Sequence, residues 1–151
     1  MRIVVAFDGT NSSLKALDFA FSLKKSVDKY DIVFAFPSFS TPPPTFDGYI
    51  VPPTEGDLAE MEKYAEKVMN IAKSRAGENG INADFEELDV PQKDVAEMIL
   101  VAAQNFKADL IVMGKRRLTS MEKLILGSVS SEVVKKSSIP VLIVPPLPES
   151  K

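Results

Sequence analysis

"DLIVMGKRRLTSMEKLILGSV", residues 109–129, sets a short aliphatic run against a sudden basic loop and then a Gly-Ser pair. An apolar run of this length closed by Gly114 has the composition of a strand covered on both faces, which requires helices on either side of a sheet. Working outward, the same signature returns at residues 141–144 after Pro140, at residues 3–7 before Asp8-Gly9, and at residues 32–36 before Pro37. Residues 83–90, "ADFEELDV", alternate acidic side chains and suit an edge strand. Helical spacing fills the intervals. Thr10, Asn11 and Ser12 offer caps ahead of Leu14, Leu17, Ala20/Phe21 and Lys24. Leu58, Met61, Tyr64/Ala65, Val68 and Ile71/Ala72 continue to about residue 76, where Gly77 and Gly80 are expected to stop the helix. Asp94-Val95-Ala96-Glu97 has the form of a capping box for a helix through Met98/Ile99, Ala102 and Phe106, and Ser128 opens a last helix through Val133 and Val134. Strand and helix thus alternate four times before a fifth strand. The pattern predicts a single doubly wound α/β domain over residues 1–151, its five-stranded, mainly parallel sheet covered by helices on both faces.

Composition narrows the chemistry. The 151 residues include no Cys, no His and no Trp, so disulfides, thiol catalysis and the usual zinc ligands are excluded, and the default general base is missing. A chain of this size buries roughly two-thirds of the surface its unfolded form exposes and needs no staples. Eighteen Lys+Arg against 21 Asp+Glu leave a formal charge of −3, which argues against a nucleic-acid-coating protein. No apolar run approaches the length of a signal-peptide core or a membrane span, so a cytoplasmic protein without membrane contact is expected. Six of the eleven prolines fall between residues 37 and 53, marking a Pro-rich loop at about 37–56. It reads either as a stiff surface connection or as a flap carrying Phe46 and Tyr49.

In a doubly wound sheet, ligands bind beyond the carboxyl ends of the strands where the winding direction reverses. If the first and fourth strands are neighbours there, the loops after Phe7 and Met113 face one another. Gly127-Ser128 begins a helix, and with the hydroxyls of Ser128 and Ser130 it has the parts of a phosphate cradle: backbone N–H groups, a missing Cβ and donors. The plain alternative is an N-cap. Residues 115–123 hold four cations and one anion, a field that an anion would feel or a solvated turn. Asp8 is suited to a ribose hydroxyl, to a phosphate-held metal, or to the backbone amides of its own turn. Neither the Gly-x-x-x-x-Gly-Lys-Ser/Thr loop nor Gly-x-Gly-x-x-Gly occurs. Asp8-Gly9 and Pro145-Pro146 also lack the acidic pair and lysine of a phosphoacceptor receiver domain.

Three segments, "VVAFDGTNSSLKAL", "ADLIVMGKRR" and "LILGSVSSEVVKKSSIPVLIVP", resemble the universal stress protein family in order and spacing over nearly the whole chain. The resemblance implies an adenine nucleotide alpha hydrolase-like fold, usually homodimeric, with ATP bound through Gly-x-x-Gly-x9-Gly-Ser/Thr. Here that pattern starts at Gly114 and ends at Gly127-Ser128, with Arg117 at the second glycine. By resemblance, Ala6, Asp8 and Ala35 lie near adenine and ribose beside Met113 and Gly114. Arg116, Gly127, Ser128, Val129 and Ser130 hold the phosphates. Arg117 either reaches around a triphosphate with a charge-assisted contact or fills the space meant for it. Val141, Leu142, Ile143 and Val144 match the strand through which family members pair. The expected protein is therefore a dimeric switch or adaptor in stress response that binds ATP, with or without Mg2+, and is not an enzyme. A non-binding scaffold and a slow ATPase are the alternatives.

Overall fold

A computed structural model describes residues 1–35, 45–46, 49–50, 55–89, 93–115 and 127–145. Its elements are β1 (Arg2–Ala6), α1 (Asn11–Ser22), a 3-10 turn (Lys24–Ser26), β2 (Lys29–Ala35), the two short strands β3 (Thr45–Phe46) and β4 (Tyr49–Ile50), α2 (Glu55–Glu78), β5 (Ala83–Leu88), α3 (Val95–Phe106), β6 (Leu110–Gly114), α4 (Ser128–Lys136) and β7 (Val141–Val144). Five strands form one sheet in the order β5-β2-β1-β6-β7, every neighbouring pair parallel. β3 and β4 pair antiparallel with each other. The chain winds outward from β1 through β2 to β5, then returns to β6 on the opposite side of β1. The switch point therefore lies between β1 and β6, the first and fourth of the strands expected from sequence, and β5 is an edge strand.

Side-chain alternation along β1 divides the core in two. Ile3, Val5 and Phe7 pack with Leu17, Phe21, Val68 and Met69 beneath α1 and α2, whereas Val4 joins Ile99, Phe106, Ile111 and Val133 beneath α3 and α4. Burying apolar residues on both faces explains the unbroken run at residues 3–7, since each full burial contributes roughly 1.5–3 kcal/mol. The buried positions of α1, Ser13, Ala16, Leu17, Ala20 and Phe21, follow a single helix stripe. Lys24 lies beyond that helix, in the 3-10 turn.

Caps sit where local chemistry puts them. Thr10, rather than Asn11 or Ser12, caps α1, its side chain accepting from the Ser13 amide, and Asp94 caps α3 by accepting from the Glu97 amide at 2.8 Å. Each such cap contributes about 1 kcal/mol. Two expected boundaries move. β2 starts at Lys29, three residues before the apolar run, because Lys29, Tyr30 and Asp31 pair in register with Arg2, Ile3 and Val4 of β1. α2 runs through Gly77 to Glu78, since the buried Ala72 and Ala76 anchor the last turns against the sheet and outweigh the roughly 1 kcal/mol cost of one helical glycine.

Candidate functional site

At the carboxyl ends of β1, β2 and β6 a cavity of about 710 Å³ opens over the switch point, within the range of small-molecule sites. Ala6, Phe7 and Asp8 line it from β1 and its turn, Val33, Phe34 and Ala35 from β2, and Met113 and Gly114 from β6. Gly127, Ser128, Val129 and Ser130 close it with the first turn of α4. The structure thus brings together nine of the site residues expected from sequence. Arg116 and Arg117 lie outside the described residues, as does most of the basic loop.

The β1 turn is built by its own side chains. Asp8 Oδ1 accepts from the Thr10 amide at 3.0 Å and from Thr10 Oγ1 at 2.5 Å, while Ser13 Oγ accepts from the Asp8 amide at 3.3 Å. Asp8 therefore performs the turn-holding role among those considered for it. Gly9 between them has φ 81°, a conformation that costs an L side chain roughly 1–2 kcal/mol. This network fixes where α1 begins and so where its amide groups point.

Gly114 has a packing cause that the spacing of a binding motif does not reveal. A Cβ there would lie 2.6 Å from the carbonyl carbon of Ser12 and 2.7 Å from its Oγ, and closer still to its carbonyl oxygen. Only glycine lets the end of β6 pass so near the first turn of α1. Ser12 Oγ then donates to the carbonyl of Lys115, tying the two loops of the switch point together.

Helix electrostatics give the cavity a direction. α1 and α4 both begin at it, and neither carries an acidic residue in its first turn. Gly127 caps α4 without a side chain, so the cap brings no acceptor of its own to the amides of Ser128, Val129 and Ser130. The start of α1 already has the Thr10 cap and the Asp8 carboxylate beside it, so the side-chain-free start of α4 is the helix end that favours an anion in this cavity. α2 is the opposite case, with Glu55 and Asp57 in its first turn. Asp57, Glu60, Met61 and Tyr64 of this helix also line the cavity, as do Val95 and Ile99 of α3. These residues, with Thr10, Ser12, Ser13 and Phe34, were not among those expected from sequence. The available signal was the helical spacing of Asp57, Glu60, Met61 and Tyr64.

Residues 1–145 match the model of the universal stress protein family. The chain belongs to that family. Among curated relatives, the stress response protein NhaX of Bacillus subtilis is 37% identical, the alignment covering 95% of this chain and 96% of that protein. Universal stress protein MJ0531 of Methanocaldococcus jannaschii is 32% identical over 95% of this chain and 81% of its own length. A solved universal stress protein in complex with cAMP is 28% identical, covers 95% of this chain and 96% of that one, and superposes with a TM-score of 0.65. The five-stranded, doubly wound architecture is thus the family's own. Among the described residues, no helix is long and apolar enough to cross a membrane.

Proposed function

We propose that this universal stress protein binds ATP or a related adenine nucleotide in the cavity at the switch point, acting as a nucleotide-dependent switch or adaptor in stress response rather than as an enzyme. The observation that carries the reading is the convergence, on one cavity, of the Asp8 turn, Gly114 and the glycine-capped start of α4. Adenine and ribose are assigned to Ala6, Asp8, Ala35, Met113 and Gly114. The phosphates are assigned to Gly127, Ser128, Val129 and Ser130, where backbone N–H groups and hydroxyls supply donors. The cAMP-bound relative supports the ligand class. Arg116 and Arg117 extend the phosphate assignment by motif position. Mg2+, with ATP, is assigned to the phosphates.

The test is isothermal titration of the purified protein with Mg-ATP and with AMP. Saturable heat with one site per chain is the expected result; no heat up to millimolar nucleotide rejects the reading.

We also propose a homodimer through β7. Val141, Leu142, Ile143 and Val144 are all only partly buried at one edge of the sheet, where an apolar strand invites pairing with a second copy. Light scattering should return twice the 16.5 kDa chain mass, and the single-chain mass at micromolar concentration would remove the dimer.

A further inference from the structure

The first turns of α2 stand over the cavity, and among the described residues Tyr64 meets the core through Phe34. No residue from 55 through 64 is buried, and the buried positions of this helix begin only at Ala65. The overhang nevertheless has an ordered face. Asp57, Glu60, Met61 and Tyr64 lie at i, i+3, i+4 and i+7, and all four line the cavity. Tyr64 is 56% exposed, and of the large apolar side chains left exposed among the described residues it alone lines this cavity. Its ring stands edge-on to Phe34 with centroids 6.0 Å apart. An aromatic ring braced on one side and open to a cavity offers a surface that a flat apolar ring can cover.

Charge decides which end of a nucleotide belongs there. The start of α4 carries neither a side-chain cap nor a first-turn acid, whereas Asp8 stands at the start of α1 and α2 presents Asp57 and Glu60. A phosphate chain pressed against α2 meets like charge. A nucleobase at the same wall meets an aromatic ring, a thioether and carboxylate acceptors for its exocyclic N–H groups.

Resting on the nucleotide reading of the cavity, we propose that the overhanging turns of α2 form its base-side wall, with Tyr64 and Met61 covering the base and Glu60 turning the phosphates toward α4. The wall gives these turns an apolar partner on the side that Phe34 leaves open. It also makes the overhang the part of the fold that discriminates between nucleobases.

The experiment titrates AMP and adenosine into the full chain and into its Tyr64→Ala and Tyr64→Phe variants. Tyr64→Ala should weaken both ligands by the same factor, about tenfold for the loss of one aromatic contact to a base, while Tyr64→Phe keeps the parent affinities. Tyr64→Phe should melt with the parent, and Tyr64→Ala only slightly below it, through the lost edge contact with Phe34. Unchanged AMP affinity in Tyr64→Ala overturns the base-side wall and leaves the nucleotide reading standing. A loss confined to AMP would place Tyr64 at the phosphates and overturn it as well. A parent protein that takes up neither ligand overturns the nucleotide reading and the wall with it.

Discussion

Gly114→Ala should lower the stability of this protein by about 3 kcal/mol, the upper part of the range for forcing extra atoms into a packed site. The direction opposes the usual effect, since glycine inside a strand or helix is worth roughly 0.5–1 kcal/mol less than alanine. The sign reverses because the added methyl would fall on main chain. The carbonyl of Ser12 stands in its place, and Ser12 sits in the first turn of α1, beside the Thr10 cap and bonded through Oγ to Lys115. Relief requires β6 and α1 to separate, which would break that bond and pull apart the two loops that border the cavity. Nucleotide affinity should therefore fall with stability. Gly77 provides the internal comparison, because it lies in α2 with nothing within 4 Å of an added Cβ, and its change to alanine should stabilise by about 0.5–1 kcal/mol. Urea midpoints of the two variants check both statements. A Gly114→Ala protein as stable as its parent would show that the two loops are not in contact.

The contrast between those glycines marks where sequence reasoning reaches its limit. The strands at residues 3–7 and 141–144 and the run before Gly114 announce themselves because both faces of each carry apolar side chains, a property of the local sequence alone. The same holds for the caps Thr10 and Asp94, whose acceptors serve amides three residues away. Asp31 hides the start of β2, since a carboxyl within an apolar run looks like a boundary. The site was legible as a set of motif positions, and nine of them line one cavity. The reason for Gly114 was not, because it depends on Ser12, about a hundred residues earlier in the chain. The wall formed by α2 was hidden differently. A stripe of Leu58, Met61 and Tyr64 has the same spacing whether it faces a core or an open cavity, and only the topology decides which lies beneath it.

Asp31 leads to the second large expectation, a stability that falls as pH rises from 4 to 8. Its side chain is 1% exposed in the middle of β2, and among the described residues Oδ1 has no hydrogen-bond partner. Burial, then the like charges of Glu86 and Asp84, push its carboxyl from 3.8 to about 7, with Lys29 opposing them. Arg2, in the facing strand β1, lays its guanidinium over the Phe106 ring of α3, 4.5 Å from the centroid, and forms no ion pair with Asp31 among those described. The folded chain therefore keeps a proton that the unfolded chain releases near pH 4. Stability associated with that proton is intact below the unfolded value and is lost as pH rises through about 7, a difference on the order of 3–4 kcal/mol. Asp31→Asn removes the titration while keeping the shape. The variant should match its parent near pH 4 and exceed it by a few kcal/mol at pH 8, with the gap opening between those limits. Asp28, whose carboxyl the N-terminal ammonium holds low, acts in the opposite direction, but it is common to both proteins and cancels in the difference. Urea denaturation of the pair at unit pH steps measures the gap directly. A gap that stays constant from pH 4 to 8 would mean that Asp31 ionises in the folded protein as it does in water, and that the sheet tolerates its charge.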